Sequence, residues 1–245
     1  MPRFKLTIEY AGTRYSGWQI QKNARTVQGE IDRGVRTVTG RNDFELYGSG
    51  RTDAGVHALG QVVNFHSDKD FDPYRIQRAL NALTPSDITI KEVEIVADSF
   101  DARRDGRARV YEYRILNRST PSPFHLNRAW RLHEPLDLQA MREAIHCLLG
   151  EHDFSSFRAA GCDAAHPVRT IYRVSLDHRD EILVFTIEAT AFLRHMVRNI
   201  VGTLVDVGRG LRAPQSFREL LEARDRTKAG ATAPACGLFL VEVKY

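Results

Sequence analysis

The chain has 245 residues, of which 42% are hydrophobic, so it can bury a substantial core as one large domain or two small ones. Its 35 Lys and Arg against 31 Asp and Glu leave a formal charge of +4, too small to indicate nucleic-acid binding by itself. There is no apolar signal region, no run of 18 apolar residues, and no paired motif among Cys147, Cys162 and Cys236. The sequence therefore argues against a membrane-spanning or disulfide-rich protein, and we expect a soluble, cytoplasmic one with free thiols.

The first half of the chain predicts the element order β-α-β-β-α-β. Thr26 can cap a helix whose apolar residues follow helical spacing over residues 27–38, and Asp72-Pro73 can open a second helix that runs to about Leu83. Alternating or β-branched runs predict strands at residues 4–10, 43–49, 60–66 and 88–95.

The second half repeats that order. Asp137 can cap a helix, and the short Arg179-Asp180 junction indicates a hairpin. Strands are predicted near 108–117, 168–178, 181–190 and 238–244, and further helices near 194–207 and 214–224. Two successive split β-α-β units predict an α+β fold of two tandem ferredoxin-like halves, 1–105 and 106–245.

One acid stands out in residues 48–58, which read Gly-Ser-Gly-Arg-Thr-Asp-Ala-Gly-Val-His-Ala. The three glycines permit a tight turn before a predicted strand, and Asp53 lies on that turn two residues after Arg51. A carboxylate mounted in this way suits nucleophilic or acid–base chemistry. The alternative, more frequent for an arbitrary Arg-x-Asp-x-Gly, is an acid that caps the turn and pairs with the arginine. His57, close by, is more readily explained as structural than as catalytic.

Three regions combine clustered basic residues with aromatic ones, a composition that suits binding to the phosphate backbone and exposed bases of a nucleic acid. Ordinary solvated strand and helix faces are the alternative for each region. The groups are Arg103, Arg104, Arg107, Arg109 and Arg114 beside two tyrosines; Arg194, Arg198, Arg209 and Arg212; and Arg14, Lys22 and Arg25. The histidines and cysteines show no metal-ligand spacing, so no metal is expected.

The predicted helix 194–207 has apolar residues on both sides, which indicates packing between two layers. Arg198 lies on this helix. A buried arginine needs a carboxylate partner because an unpaired buried charge is costly. The alternative is a side chain whose head reaches water, and periodicity does not choose between them.

Five motifs, spread in order over nearly the whole chain, together resemble those of the tRNA pseudouridine synthase A family. They are Ile8-Glu-Tyr-Ala-Gly-Thr-Arg-Tyr-Ser-Gly-Trp-Gln19, Gly50-Arg-Thr-Asp-Ala-Gly-Val-His-Ala58, Ala108-Arg-Val-Tyr-Glu-Tyr113, Phe192-Leu-Arg-His-Met-Val-Arg-Asn-Ile-Val-Gly202 and Gly237-Leu-Phe-Leu-Val-Glu-Val-Lys-Tyr245. The main departure from the family's pattern is the pair Arg194-His195, to which the resemblance assigns no function.

The resemblance implies an isomerase that converts uridine to pseudouridine at positions 38, 39 and 40 of the tRNA anticodon stem-loop. Because the net change is an isomerisation, no cofactor is expected. It also implies a homodimer that binds tRNA across both subunits. The two halves would share one mixed, mainly antiparallel sheet, with the active site in the cleft between them.

The resemblance further implies roles for individual residues. Asp53 would be the nucleophile, Arg51 and Arg198 the cations of the site, Tyr111 the active-site tyrosine, and Leu238 part of the uracil pocket. We expect Arg103, Arg104 and Arg107 to contact phosphates. From the residues alone, Tyr111 and Leu238 are ordinary core residues, and Tyr113 would share the strand face of Tyr111.

Three points stay open at this stage. A non-catalytic RNA-binding module remains the alternative function, since duplicated ferredoxin-like units often bind RNA. Thr52-Asp53-Ala54-Gly55 faintly resembles the Asp-Thr-Gly of an aspartic protease, but the second such motif that a hydrolase needs is missing. Attack of the acid at C1′, attack at C6 and a glycal intermediate are all compatible with the sequence.

Overall fold

The computed structural model describes residues 2–41, 43–67 and 69–245. The chain forms two compact units, Met1–Arg107 with Phe239–Tyr245, and Ala108–Leu238. The strands are β1 Arg3–Tyr10, β2 Tyr47–Gly48, β3 His57–His66, β4 Ile88–Val96, β5 Ala108–Asn117, β6 Trp130–Leu132, β7 Gly150–Asp153, β8 Val168–Arg179, β9 Ile182–Ala189 and β10 Leu238–Lys244. The helices are α1 Val27–Thr39, α2 Pro73–Leu83, α3 Leu138–Ile145, α4 Met196–Gly208 and α5 Ser216–Ala223. The predicted halves, 1–105 and 106–245, remain an expectation about domain organisation.

The first unit has the predicted order β-α-β-β-α-β. Its strands are ordered β4-β1-β3-β10; β1 runs antiparallel to both of its neighbours, and β10 runs parallel to β3. Every second residue of β1 is buried, so its apolar side chains form one wall of the core. The side chains of Thr26 and Asp72 accept hydrogen bonds from the first turns of α1 and α2, which confirms both predicted caps.

Two strand predictions in this unit were wrong in extent. The strand expected over residues 43–49 is reduced to β2, a two-residue pairing with β3. The preceding residues instead turn apolar side chains inward: Leu46 is buried and the ring of Phe44 lies 5.8 Å from that of Phe65. The strand expected over 60–66 begins earlier, at His57, because its first residues pair with β10, which comes from the far end of the chain.

The second unit is built on the antiparallel strands β5, β9, β8 and β7, with β6 added in parallel to β5. The predicted hairpin joins β8 to β9, with Asp180 at a φ of 52° in its turn. The side chain of Asp137 accepts from the N–H of Ala140 and caps α3 as predicted. The prediction of an α+β fold with a mostly antiparallel sheet is thus confirmed.

Three features of the second unit were not predicted. The strands β6 and β7 are only three and four residues long, too short to show a period of two in the sequence. Helix α4 begins at Met196, not at residue 194, because His195 adopts a left-handed φ of 59° that an α-helix does not accommodate. The prediction that this helix is packed between layers is confirmed, since α4 contacts both α3 and β5.

No helix in the described ranges combines the length and the apolar character needed to cross a membrane.

Candidate functional site

The segment that carries Asp53 is held in place by buried hydrogen bonds of the first unit. The backbone N–H of Trp18 donates to the carbonyl oxygen of Thr52 at 3.0 Å. The side-chain hydroxyls of Tyr10 and Thr52 are 2.8 Å apart. On the other side, the amide of Gln61 donates to the carbonyl of Gly50 at 3.0 Å. The residues before the acid are therefore anchored on strands β1 and β3 and on the loop that follows β1.

Asp53 begins a tight turn. Its carbonyl oxygen accepts from the N–H of Val56 at 3.1 Å, and Gly55 has a φ of 79°, a conformation that favours glycine. The N–H of Gly55 also donates to the carbonyl of Tyr15 at 3.4 Å. Thr52 is buried, Asp53 is half-buried and Arg51 is exposed, so the predicted pair of acid and cation lies on one fixed segment at the edge of the core.

Arg103, Arg104 and Arg107 lie on a different loop of the same unit, and all three are exposed. The backbone N–H groups of Arg103 and Arg104 both donate to Oδ1 of Asp101 at 2.8 Å. Burial acts to raise the pKa of Asp101, but these two donors and nearby cations outweigh it and lower that pKa.

Ala102, in the middle of this loop, forms backbone hydrogen bonds with two residues outside the loop. The N–H of Ala102 donates to Oδ1 of the buried Asn64 at 2.8 Å, and its carbonyl accepts from the hydroxyl of Tyr245 at 2.9 Å. The loop therefore keeps its shape through backbone contacts, and its arginine side chains are presented to solvent.

The structure distinguishes two tyrosines that the sequence could not. Tyr111 is half-buried on β5, with its ring edge-on to Phe192 at 5.0 Å between centroids. Tyr113 is completely buried and donates its hydroxyl to the carbonyl of Pro234 at 2.7 Å. Burial raises the pKa of Tyr113, so its hydroxyl stays protonated. Tyr113 is a core residue, and Tyr111 is the tyrosine that a ligand of this unit could reach.

Arg198 lies in the first turn of α4 and is half-buried. Its Nε donates to the carbonyl of Ala233 at 2.8 Å, while the N–H of Ala233 donates back to the carbonyl of Arg198 at 3.1 Å. The sequence had suggested a carboxylate partner or water; the structure adds a backbone carbonyl. The charge of Arg198 also acts on Tyr113 and Cys236, whose pKa values burial raises and this cation lowers in part.

Leu238, at the start of β10, is buried and belongs to the second unit. The residue before it, Gly237, packs so closely on the ring of Tyr113 that an added Cβ would lie 2.7 Å from it.

The expected site residues are thus distributed over the two units. Arg51 and Asp53 share one loop of the first unit, and the three loop arginines belong to that unit as well. Tyr111, Arg198 and Leu238 belong to the second unit. The residues that hold the Asp53 turn, above all Gln61, were missed by the sequence analysis because no local pattern marks them. Within residues 2–41, 43–67 and 69–245, His, Cys, Asp and Glu side chains form no group of three or more that could hold a metal ion.

Comparison with known proteins gives the same assignment as the motifs. The sequence profile of a family described as tRNA pseudouridine synthase matches residues 6–104 and 144–245. The chain belongs to the tRNA pseudouridine synthase family. The resemblance seen in the five motifs is therefore confirmed.

Curated members of this family match from end to end. The tRNA pseudouridine synthase A of Myxococcus xanthus is 46% identical over 246 residues, covering 100% of this chain and 92% of that one. The protein of the same name from Xanthobacter autotrophicus is 46% identical and both chains are covered completely. Among solved structures, a Cbf5-Nop10-Gar1 complex aligns with 82% of this chain and 45% of that chain, at 11% identity and a TM-score of 0.35, a likeness too weak to carry an argument.

Proposed function

We propose that this protein isomerises uridine to pseudouridine in tRNA, at positions 38, 39 and 40 of the anticodon stem-loop. The observation that carries the proposal is the end-to-end similarity to curated tRNA pseudouridine synthases A, at 44% to 46% identity over the full chain. A relative that shared only an RNA-binding unit would match over part of the chain. The anticodon positions follow from the family resemblance of the motifs.

The reaction breaks the bond from ribose C1′ to uracil N1, rotates the base and rejoins it through C5. Its net result is an isomerisation, so the chemistry requires no redox cofactor and no energy donor. We assign the nucleophile to Asp53. The position of this acid supports the assignment, because a half-buried carboxylate on a turn anchored at both ends loses little freedom when it meets a substrate.

The other residues of the proposed site act around that acid. Arg51 and Arg198 supply positive charge for the anions that develop during the reaction. Tyr111 stacks on the uracil, and its hydroxyl assists the removal of the C5 proton. Its half-buried ring, next to Phe192, is compatible with both roles. Leu238 supplies apolar contact to the base.

The target uridine must leave its stack before a carboxylate can reach it. We propose that the protein recognises the shape and backbone of tRNA, with Arg103, Arg104 and Arg107 on phosphates, because contacts of this kind tolerate three neighbouring target positions. We also propose that it acts in the cytoplasm as a homodimer, as the family resemblance implies. Light scattering of the purified protein tests the dimer.

Incubation of the purified protein with tRNA transcripts that carry uridine at positions 38, 39 or 40 tests the activity. We expect pseudouridine at those positions, detected by carbodiimide labelling and primer extension, and none in matched transcripts with cytidine there. Binding of these transcripts without any pseudouridine would favour the RNA-binding module instead. Pseudouridine elsewhere in the tRNA would contradict the proposed positions while leaving the reaction intact.

A further inference from the structure

Three arginines of the second unit gather around one loop. We call Arg158, Arg169 and Arg194 the arginine cluster. Each of them donates from its guanidinium group to backbone carbonyls of the segment between β7 and the start of β8. The acceptors are the carbonyl oxygens of residues 162 and 164 at 2.6 and 2.9 Å, of 166 and 168 at 2.9 and 2.6 Å, and of 160 and 161 at 3.5 and 3.3 Å.

None of the three arginines forms an ion pair with a carboxylate of any residue that the structure describes. Other arginines that the sequence singled out are compensated. Arg209 pairs with Glu134, and Arg212 lies 3.4 Å from a carboxylate oxygen of Asp206. The fold therefore pairs those cations with acids, whereas the acceptors of the arginine cluster among the described residues are backbone carbonyls.

This arrangement is unfavourable in the protein alone. Arg169 is half-buried, and its buried Nε has no hydrogen-bond acceptor among the described residues. Burial lowers the pKa of Arg169; the neighbouring Cys162 opposes this, and the charge of Arg158 lowers the pKa further. The buried Nε costs free energy whether or not a ligand is bound, but the repulsion between the like charges would be relieved by an anion bound beside them.

The thiol of Cys162 reports the same positive field. Its sulfur accepts from the backbone N–H of Arg194 at 3.4 Å. Burial acts to raise the pKa of this thiol, but that bond, a second one from the N–H of Ala164 and the side chain of Arg158 outweigh burial and lower the pKa. The loop therefore favours the thiolate form of Cys162 more than water does.

We propose that the arginine cluster binds a backbone phosphate of the RNA substrate. The inference rests on the proposed function, in which that substrate is tRNA. Guanidinium groups suit phosphate because their planar N–H donors match the spacing of its oxygens. Three arginines around one loop also carry more positive charge than a single carboxylate would neutralise. Arg194 lies two residues before the start of α4, and Arg198 lies in the first turn of that helix, so the phosphate would lie near the end of α4 that we assign to the active site.

The substitution Arg194→Gln tests the proposal, because this side chain is exposed and its bonds to the loop are the longest of the three. The affinity for a tRNA transcript is measured between about 50 and 200 mM salt. We expect weaker binding and a slope of log affinity against log salt that is smaller by about one unit.

Arg179→Gln is the matched control. Arg179 is an exposed arginine of the same unit, but it pairs with Glu112 at 2.9 Å. It lies at the opposite end of β8 from Arg169, roughly 33 Å along the strand at ~3.3 Å per residue. We expect its salt slope to equal that of the wild type. A folded Arg194→Gln protein with the wild-type slope overturns the proposal.

A second measurement needs no variant. Bound tRNA should slow the alkylation of Cys162 by iodoacetamide at least several-fold, read by mass spectrometry. The labelling of Cys147, whose pKa burial raises, should stay unchanged and serves as the internal reference. If Arg194→Gln does not fold, this protection decides: equal labelling of Cys162 with and without saturating tRNA overturns the proposal.

Pseudouridine formation by the wild type is measured separately. It distinguishes failure of the proposed phosphate site from failure of the proposed function. A wild type that makes pseudouridine while the salt slope and Cys162 labelling stay unchanged overturns only the phosphate site. A wild type that makes none contradicts the proposed function, whatever the cluster binds.

Discussion

The backbone N–H of Gly12 donates to Nδ1 of His57 at 3.1 Å, and both residues are buried. Nδ1 of His57 is therefore the acceptor of this bond, and the imidazole ring lies 4.6 Å from that of Phe239 between centroids. An added Cβ on Gly12 would lie 1.9 Å from the carbonyl oxygen of Val56. The hydrogen bond and this close packing hold the loop after β1 against the residues that follow the Asp53 turn.

Replacing His57 by Phe should destabilise the protein, because the ring can still stack while the buried N–H of Gly12 loses its acceptor. An unsatisfied buried donor costs about 1–3 kcal/mol. The free energy of unfolding in urea measures the effect. His57→Gln keeps an acceptor near the N–H and should lose less. Equal stability of His57→Phe and the wild type would show that the hydrogen bond does not matter.

Asp53→Asn should abolish pseudouridine formation while tRNA binding and folding remain near those of the wild type. The turn is held by backbone groups and by Thr52, so loss of the charge should disturb it little, whereas loss of the nucleophile removes the reaction path. Single-turnover assays with excess enzyme measure the rate. Pseudouridine formation by a pure Asp53→Asn protein would contradict the assignment of Asp53 as the nucleophile.

Tyr111→Phe separates two roles of this side chain. If only stacking matters, Phe should keep most of the activity and Ala should lose much of it, since stacking is worth about 1–3 kcal/mol per base. If the hydroxyl takes part in proton transfer, Phe should lose roughly 10²–10⁴-fold in rate and still bind tRNA. We expect the second result. Near-normal turnover by Tyr111→Ala would remove this residue from the site.

Tyr113→Phe is the matched control for that experiment. It removes the same atom two residues along β5, but there the hydroxyl serves the carbonyl of Pro234 in the core. We expect a stability loss of about 0.5–1.5 kcal/mol and a rate close to that of the wild type. A rate loss as large as that of Tyr111→Phe, in a folded protein, would mean that the assay reports core packing and not chemistry.

Neutral replacement of Arg103, Arg104 and Arg107 should weaken the binding of different tRNAs to a similar degree. The slope of log affinity against log salt should fall by roughly one unit for each arginine that binds a phosphate in the wild type. The loop should keep its shape because its backbone is bound to Asp101 and Asn64. Arg33→Gln, an exposed arginine that pairs with Glu30 at 2.9 Å, is the control. An unchanged slope in the triple variant would show that these arginines do not bind phosphate.

The amino-acid sequence by itself determined the elements that depend on neighbouring residues. The caps at Thr26, Asp72 and Asp137 bind N–H groups two or three residues further on, so a local pattern is sufficient to predict them. The alternation of β1 predicts its buried face for the same reason. The five motifs also identified the family, because they are fixed strings of residues and do not depend on knowing which distant side chains they contact.

Only the tertiary structure decided how residues that look alike in the sequence differ in burial and in their bonding partners. Tyr111 and Tyr113 are two tyrosines that the sequence places on the same face of one strand. Tyr113 is the completely buried one, and its hydroxyl donates to a carbonyl 121 positions away in the sequence. Arg194 and Arg209 look alike in the sequence, yet Arg209 has a carboxylate partner 75 positions away, whereas the guanidinium of Arg194 donates to backbone carbonyls. Burial and charge pairing are set by residues brought together from far along the chain, and no local period records them.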